Sequence, residues 1–172
     1  MILTRFAFVL FGNLLVCGSV FAQLPAAYAS PEGKYQIAFP GAPKHTVQTT
    51  KTELGELKVF ISTFVGKDGT VFLLSYTDMP AKAVRAENHA TLFEGVKEIK
   101  GSKGEIVSEK SLEFGAEKLP GRELIVDKGK QRIRFRAILR ENRLYQLAVI
   151  GTAEGVAAKG ADAFFDSLEI TK

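Results

Sequence analysis

The stretch LKVFISTFV-GKDG-TVFLLSYT, residues 57–77, decides the fold. Two runs, Leu57–Val65 and Thr70–Thr77, flank the loop Gly66-Lys67-Asp68-Gly69. β-Branched and aromatic residues on either side of a short glycine-bounded loop predict a β-hairpin. Both runs are apolar at odd and even positions alike. A strand with one wet face alternates, so these strands are expected to be covered on both sides.

Working outward toward the N-terminus, His45–Thr52 (HTVQTTKT) is Thr-rich with one aliphatic residue, Val47. It reads as an edge strand that faces water, turned by Glu53-Leu54-Gly55-Glu56. Before it, Lys34–Phe39 alternates, with Tyr35, Ile37 and Phe39 on one face. Pro40-Gly41-Ala42-Pro43 ends that strand, because proline has no N–H to give the ladder.

Outward toward the C-terminus, helical spacing begins after Pro80. Leu92, Phe93, Val96 and Ile99 form an apolar stripe. The helix is expected at about residues 86–100, with Lys97 and Lys100 complementing the dipole in its last turn. Gly104–Phe114 reads as a strand with Ile106 as its best core residue. Arg122–Asp127 and Lys130–Leu139 then form a hairpin about Lys128-Gly129, and Tyr145–Ile150 follows a turn at Glu141-Asn142. Ala157, Ala161, Phe164 and Leu168 make the stripe of a C-terminal helix, weakened by Gly155 and Gly160. Consecutive strands joined by tight turns must be antiparallel. The expected class is α+β: one antiparallel β-sheet flanked by helices on both faces.

The chain opens with a different chemistry. Arg5 is the only charge before Glu32, and Phe6–Val16 (FAFVLFGNLLV) is almost wholly apolar. Such a run fits a signal-peptide core and is short for a span across ~30 Å of hydrocarbon. Val20-Phe21-Ala22 offers a cleavage boundary before Gln23. Ala27-Tyr28-Ala29 is a second, and retention as an anchor is the remaining alternative. The expected organisation is therefore residues 1–22 signal peptide, 23–33 flexible lead-in, and 34–172 a single domain. Cys17, the one cysteine, follows Val16 rather than the Gly or Ala that a lipoprotein signal favours. It leaves with a leader cut at Ala22, so the exported domain is expected to be stabilised without disulfides. Localisation is then periplasmic or extracellular, with no integral membrane span after cleavage.

The leader holds one of the 23 basic residues, leaving 22 against 19 acids, a balance of +3. Bases and acids are interleaved with no Lys/Arg block, so nucleic acid is not an expected partner. The two histidines, His45 and His89, sit in different elements, and no H-x-x-x-H, C-x-x-C or H-E-x-x-H occurs. No metal site and no cofactor are expected. His89 reads as a helix-end packing residue and His45 as a solvated strand entry. No G-x-S-x-G elbow is present, and Ser75 reads as a hydroxyl bonded within the sheet. No catalytic residue is assigned.

Four stretches carry a resemblance: Tyr35–Lys44 (YQIAFPGAPK), Leu119–Leu124 (LPGREL), Asn142–Leu147 (NRLYQL) and Phe164–Ile170 (FFDSLEI). In order and spacing they resemble small exported bacterial proteins with a PsbP-like fold, from about residue 30 to the end. The resemblance implies an antiparallel sheet flanked by helices. Proteins of this fold are known mostly as binding or assembly modules, including the lumenal photosystem II extrinsic subunit. No photosynthetic role is carried over, and no metal or binding residue of that subunit can be matched here. Fold does not fix function.

One pattern points to binding. Lys130, Arg132, Arg134 and Arg136 alternate with Gln131, Ile133, Phe135 and Ala137, so period two places four cations on one face. A two-residue turn at Lys128-Gly129 sets Asp127 opposite Lys130, Ile125 opposite Arg132 and Glu123 opposite Arg134. Arg132 and Arg136 are then without carboxylates across. Across Glu141-Asn142, Arg136 opposes Leu147 and Arg134 opposes Val149. The face reads either as solvated ion pairs or as an anion or partner patch of Arg132, Arg134 and Arg136. The expected function is a non-enzymatic exported binding or assembly module of the cell envelope, with a protein or anionic envelope partner. The alternative is a small envelope hydrolase or ligand-processing enzyme whose site is assembled only in space.

Overall fold

In the computed structural model, which describes residues 27–52, 55–101 and 104–172, the hairpin at 57–77 forms around a side-chain-bonded loop. Asp68 accepts from the Thr70 amide at 3.0 Å and from its hydroxyl at 2.8 Å, and Gly69 takes φ +82°. A left-handed φ is what glycine supplies at such a turn. The hairpin strands are β4 (Gly55–Val65) and β5 (Val71–Asp78), in the register Val65↔Val71. The leader, Cys17 and the boundary at Ala22 lie outside the described residues, as do Glu53 and Leu54.

The other elements, in chain order, are β1 (Tyr28–Ser30), β2 (Tyr35–Ile37), β3 (Lys44–Thr52), α1 (His89–Gly101), β6 (Glu105–Phe114), β7 (Leu119–Asp127), β8 (Arg132–Arg140), β9 (Arg143–Gly151), α2 (Ala153–Ala157), α3 (Lys159–Asp166) and β10 (Glu169–Ile170). Among the described residues, seven strands make one antiparallel sheet in the order β3-β4-β5-β9-β8-β7-β6. Two meanders meet at the β5–β9 pairing, and α1 carries the chain from the middle of the sheet to its far edge. All nine residues of the edge strand β3 are exposed, as its threonine content predicts.

Three features differ from expectation. First, Tyr28–Ser30 pairs with Tyr35–Ile37, so the stretch read as a flexible lead-in contains a strand. Its anchor is aromatic: Tyr28 stacks on His45 and packs against Tyr35 and Phe39. Second, β1, β2 and β10 form a separate three-stranded sheet. Third, the C-terminal helix is two short ones. Ala158 is extended at φ −68°, ψ 149° and separates α2 from α3. The Thr152 hydroxyl caps α2 by accepting from the Gly155 amide. Val156, rather than Ala157, is the buried residue of α2.

Period two sorts the sheet into two faces. On the first face, Phe72, Leu74, Tyr76, Leu147 and Val149 pack with Tyr35 and Ile37 of the small sheet and Phe164 and Phe165 of α3. The cover on that face is thus part helix and part sheet. On the second face, Leu124, Val126, Phe135, Ala137 and Ala148 pack with Phe93 and Val96 of α1. Ion pairs fasten α1 toward β6 and β7: Lys97 Nζ lies 3.0 Å from Glu94 and 3.2 Å from Glu109, and Arg122 joins the same two carboxylates. That placement leaves the β4–β5 end of the second face beyond the helix. Among the described residues, no helix is long and apolar enough to cross a membrane.

A candidate ligand groove on the second face

The arginine row stands on the first face, beneath α3. The turn before it is wider than expected. Lys128 N donates to the Gln131 carbonyl at 2.8 Å, and the Asp127 carboxylate accepts from Gly129 N. Two more residues therefore join the loop, and the register shifts. Asp127 opposes Arg132, Ile125 opposes Arg134 and Glu123 opposes Arg136, which corrects the pairing read from a two-residue turn. The pairing across Glu141-Asn142 is as expected, Arg136↔Leu147 and Arg134↔Val149.

Each predicted arginine has an acid of its own chain. Arg132 Nη2 lies 2.6 Å from Asp127, Arg134 reaches Asp162 of α3 and Glu123, and Arg136 holds Glu123. Arg134 and Arg136 both stack on the buried Phe165 ring, at 4.6 and 5.1 Å from its centroid. Burial pushes the Glu123 carboxyl up, but hydrogen bonds from Lys110 and Arg136 and the charge of Arg134 outweigh it and hold it below the ordinary value. The Nε atoms of Arg132 and Arg134 are buried and have no hydrogen-bond partner among the described residues. The row is the floor beneath a helix, with its cations neutralised internally.

The second face carries the larger opening. A groove of about 1030 Å³ runs between β4–β5 and the segment from Lys82 to Val96. Its floor is Leu57, Val59 and Ile61 of β4 with Leu73 of β5, all half-buried. Leu92 and Val96 of α1 form the opposite wall. Ser75 lies buried in this floor, opposite Ile61 and Gln146. The Thr77 hydroxyl, also in the lining, is satisfied by the Lys58 carbonyl at 2.8 Å. Among the described residues, the charged lining residues are Lys82 and Arg85, both exposed, and no acidic or aromatic residue lines the groove. A mostly apolar concavity of this size with a few polar groups is the usual form of a small-molecule site.

Gly95 sits in the wall within α1. A Cβ built there meets nothing within 4 Å. Glycine inside a helix costs roughly 0.5–1 kcal/mol relative to alanine. Neither a left-handed φ nor a close neighbour demands it here.

The histidines are elsewhere. His89 Nε2 donates to the Val84 carbonyl at 2.9 Å at the start of α1, a packing role as expected. Exposed His45 stacks on Tyr28, and its Nδ1 lies 2.9 Å from Ser62 Oγ, which lies 3.1 Å from the Tyr35 hydroxyl. Burial pushes the Tyr35 hydroxyl up to about 12, so it stays protonated. The sequence reading missed this chain because Ser62 and His45 meet only through the β3–β4 register, His45↔Ser62. A second cleft, of about 390 Å³, lies at the β8–β9 turn among Arg140, Arg143 and Asp78. Its arginines are engaged too: Arg143 clamps Asp78 at 2.7 and 2.8 Å, and Arg140 donates to the Thr171 carbonyl. Among the described residues no group of three or more His, Cys, Asp or Glu is placed to hold a metal ion.

The fold has a solved counterpart. The solution structure of cyanobacterial PsbP (CyanoP) from Synechocystis sp. PCC 6803 matches with a TM-score of 0.56 at 12% identity, over 92% of this chain and 99% of that one. The fold is PsbP-like. At that identity the likeness concerns the PsbP-like fold alone. A Pseudomonas aeruginosa protein of unknown function matches at a TM-score of 0.37 and 10% identity, over 76% of this chain and 85% of that one, too distantly to carry an argument. No family model and no curated protein sequence matches the chain. The groove must therefore be argued on its own chemistry within the PsbP-like frame.

Proposed function

We propose that this chain is a non-enzymatic exported binding module of the cell envelope, and that the aliphatic groove on the second face is its binding site. One observation carries the reading: a row of half-buried aliphatic side chains on β4 and β5 lines a groove of about 1030 Å³ whose opposite wall holds Leu92, Gly95 and Val96 of α1. The central strands elsewhere are sheltered, by α2, α3 and the small sheet on one face and by α1 on part of the other, while the edge strand β3 is exposed along its length. Export rests on the leader, with cleavage before Gln23. A cut after Ala29 would sever β1, whose Ala29 pairs with Gln36. The test is binding of an environment-sensitive apolar dye to the purified chain. Saturable binding that Gly95→Trp removes supports the groove; binding indifferent to that substitution refutes it.

The hydrolase alternative has one observation in its favour, the 2.9 Å contact of His45 Nδ1 with Ser62 Oγ. Against it, Ser62 is 5% exposed and shares its hydroxyl with Tyr35. Nucleophilic catalysis needs a serine that a substrate can reach. Ester hydrolysis by the purified chain that disappears in Ser62→Ala would favour the enzyme.

A further inference from the structure

We infer that the groove takes a free long-chain carboxylate, with its hydrocarbon along the β4 floor and its anionic head at Lys82 and Arg85. This rests on the groove being a binding site.

Shape comes first. Leu57, Val59 and Ile61 follow one another on the same face of β4, two residues apart. At ~3.3 Å per residue this row extends roughly 13 Å. The floor is therefore a trough, suited to a chain rather than to a compact body. Among the described residues, the apolar part of the lining is aliphatic, with no ring to stack on a flat ligand. Aromatic side chains are instead concentrated on the first face, where Tyr35, Tyr76, Tyr145, Phe72 and Phe164 pack on one another.

Charge comes second. Among the described residues, six of the seven arginines lie within 4 Å of a carboxylate, and Arg85 is the exception. Arg85 and Lys82 are both exposed, both line the groove and have no ion-pair partner among the described residues. A chain that neutralises its other described arginines leaves two cations beside its apolar trough. A guanidinium fork matches a carboxylate in two parallel hydrogen bonds. Lys82 and Arg85 lie three residues apart, before α1, while the floor lies on β4 and β5, so head and tail are read by different parts of the fold.

The test is calorimetric titration of the purified chain with hexadecanoate, dodecanoate and hexadecanol, below their aggregation limits. The expected result is one hexadecanoate per chain, with each pair of methylenes removed weakening binding roughly ten-fold. Lys82→Gln with Arg85→Gln is expected to weaken hexadecanoate about ten-fold and leave hexadecanol unchanged. Gly95→Trp is expected to abolish both. Lys82 and Arg85 are exposed and Gly95 is half-buried with open space around it, and an unchanged unfolding midpoint confirms folded variants. If the double variant binds hexadecanoate as the parent does, the inference is overturned, while loss of both probes in Gly95→Trp would still uphold the groove. If neither probe binds and the apolar dye also fails, inference and groove reading fall together. A dimer in sedimentation that Gly95→Trp dissociates would make the groove a contact between copies and overturn the inference.

Discussion

Arg136 and Glu123 face each other across β7 and β8, with Nη2 2.7 Å and Nε 2.9 Å from the same carboxylate oxygen, Oε2. The other oxygen, Oε1, lies 2.9 Å from Lys110 Nζ. Glu123 is 4% exposed, and Arg136 also donates to the Phe165 carbonyl at 3.2 Å. One buried acid thus fastens β6, β7, β8 and α3 together.

Removing that acid leaves the covered Arg136 guanidinium without a carboxylate. Breaking one side of a buried ion pair typically costs about 3–5 kcal/mol. Glu123→Ala is expected to lower unfolding free energy in urea by that order, and Glu123→Ala with Arg136→Met by less than the sum of the two single changes. Additive losses would show that the two side chains do not depend on each other.

The same pair predicts an acid limb of stability. Glu123 is held below its ordinary value of 4.5 in the folded state. A lowered folded value means that its contribution is complete above about 4.5 and is lost as pH falls through the folded value. Stability measured from pH 6 downward should therefore fall more steeply in the parent than in Glu123→Gln, the two curves converging in acid. Parallel curves would contradict the assignment.

Gly121 of β7 is a packing requirement. A Cβ there would stand 2.6 Å from the Ala137 carbonyl oxygen and 2.7 Å from Leu112 Cδ1. Overpacking of this kind costs typically 1–3 kcal/mol. Gly121→Ala is expected to lower the urea midpoint accordingly, and an unchanged midpoint would show that β7 and β8 have room.

Gly95 is expected to behave in the opposite way. With open space around a built Cβ, Gly95→Ala should raise stability by roughly 0.5–1 kcal/mol. A loss of stability would remove the argument that this glycine serves the groove rather than the fold.

Local chemistry made much of this fold legible. The glycine-bounded loop at 66–69, the threonines of β3 and the Leu92, Phe93, Val96 stripe each announce their element, because turn conformation, solvent exposure and helical period leave marks in adjacent residues. The register of β7 on β8 was not legible. It depends on the Asp127 side chain capturing Gly129 N and on the Lys128–Gln131 bond, which widen the loop by two residues. The arginine row therefore had the right face and the wrong partners. The groove left no sequence signal of its own. Alternation tells which side chains share a face, but how far α1 covers that face follows from Arg122 and Lys97 reaching Glu94 and Glu109, contacts set by tertiary structure.

The most direct measurement is a methyl-resolved NMR titration of the purified chain with an apolar probe. Shifts confined to Ile61, Leu57, Leu73 and Leu92, and absent in Gly95→Trp, are the predicted result. Shifts centred on Val156 and Leu168 of the first-face core, or none at saturating probe, would contradict a binding site on the second face.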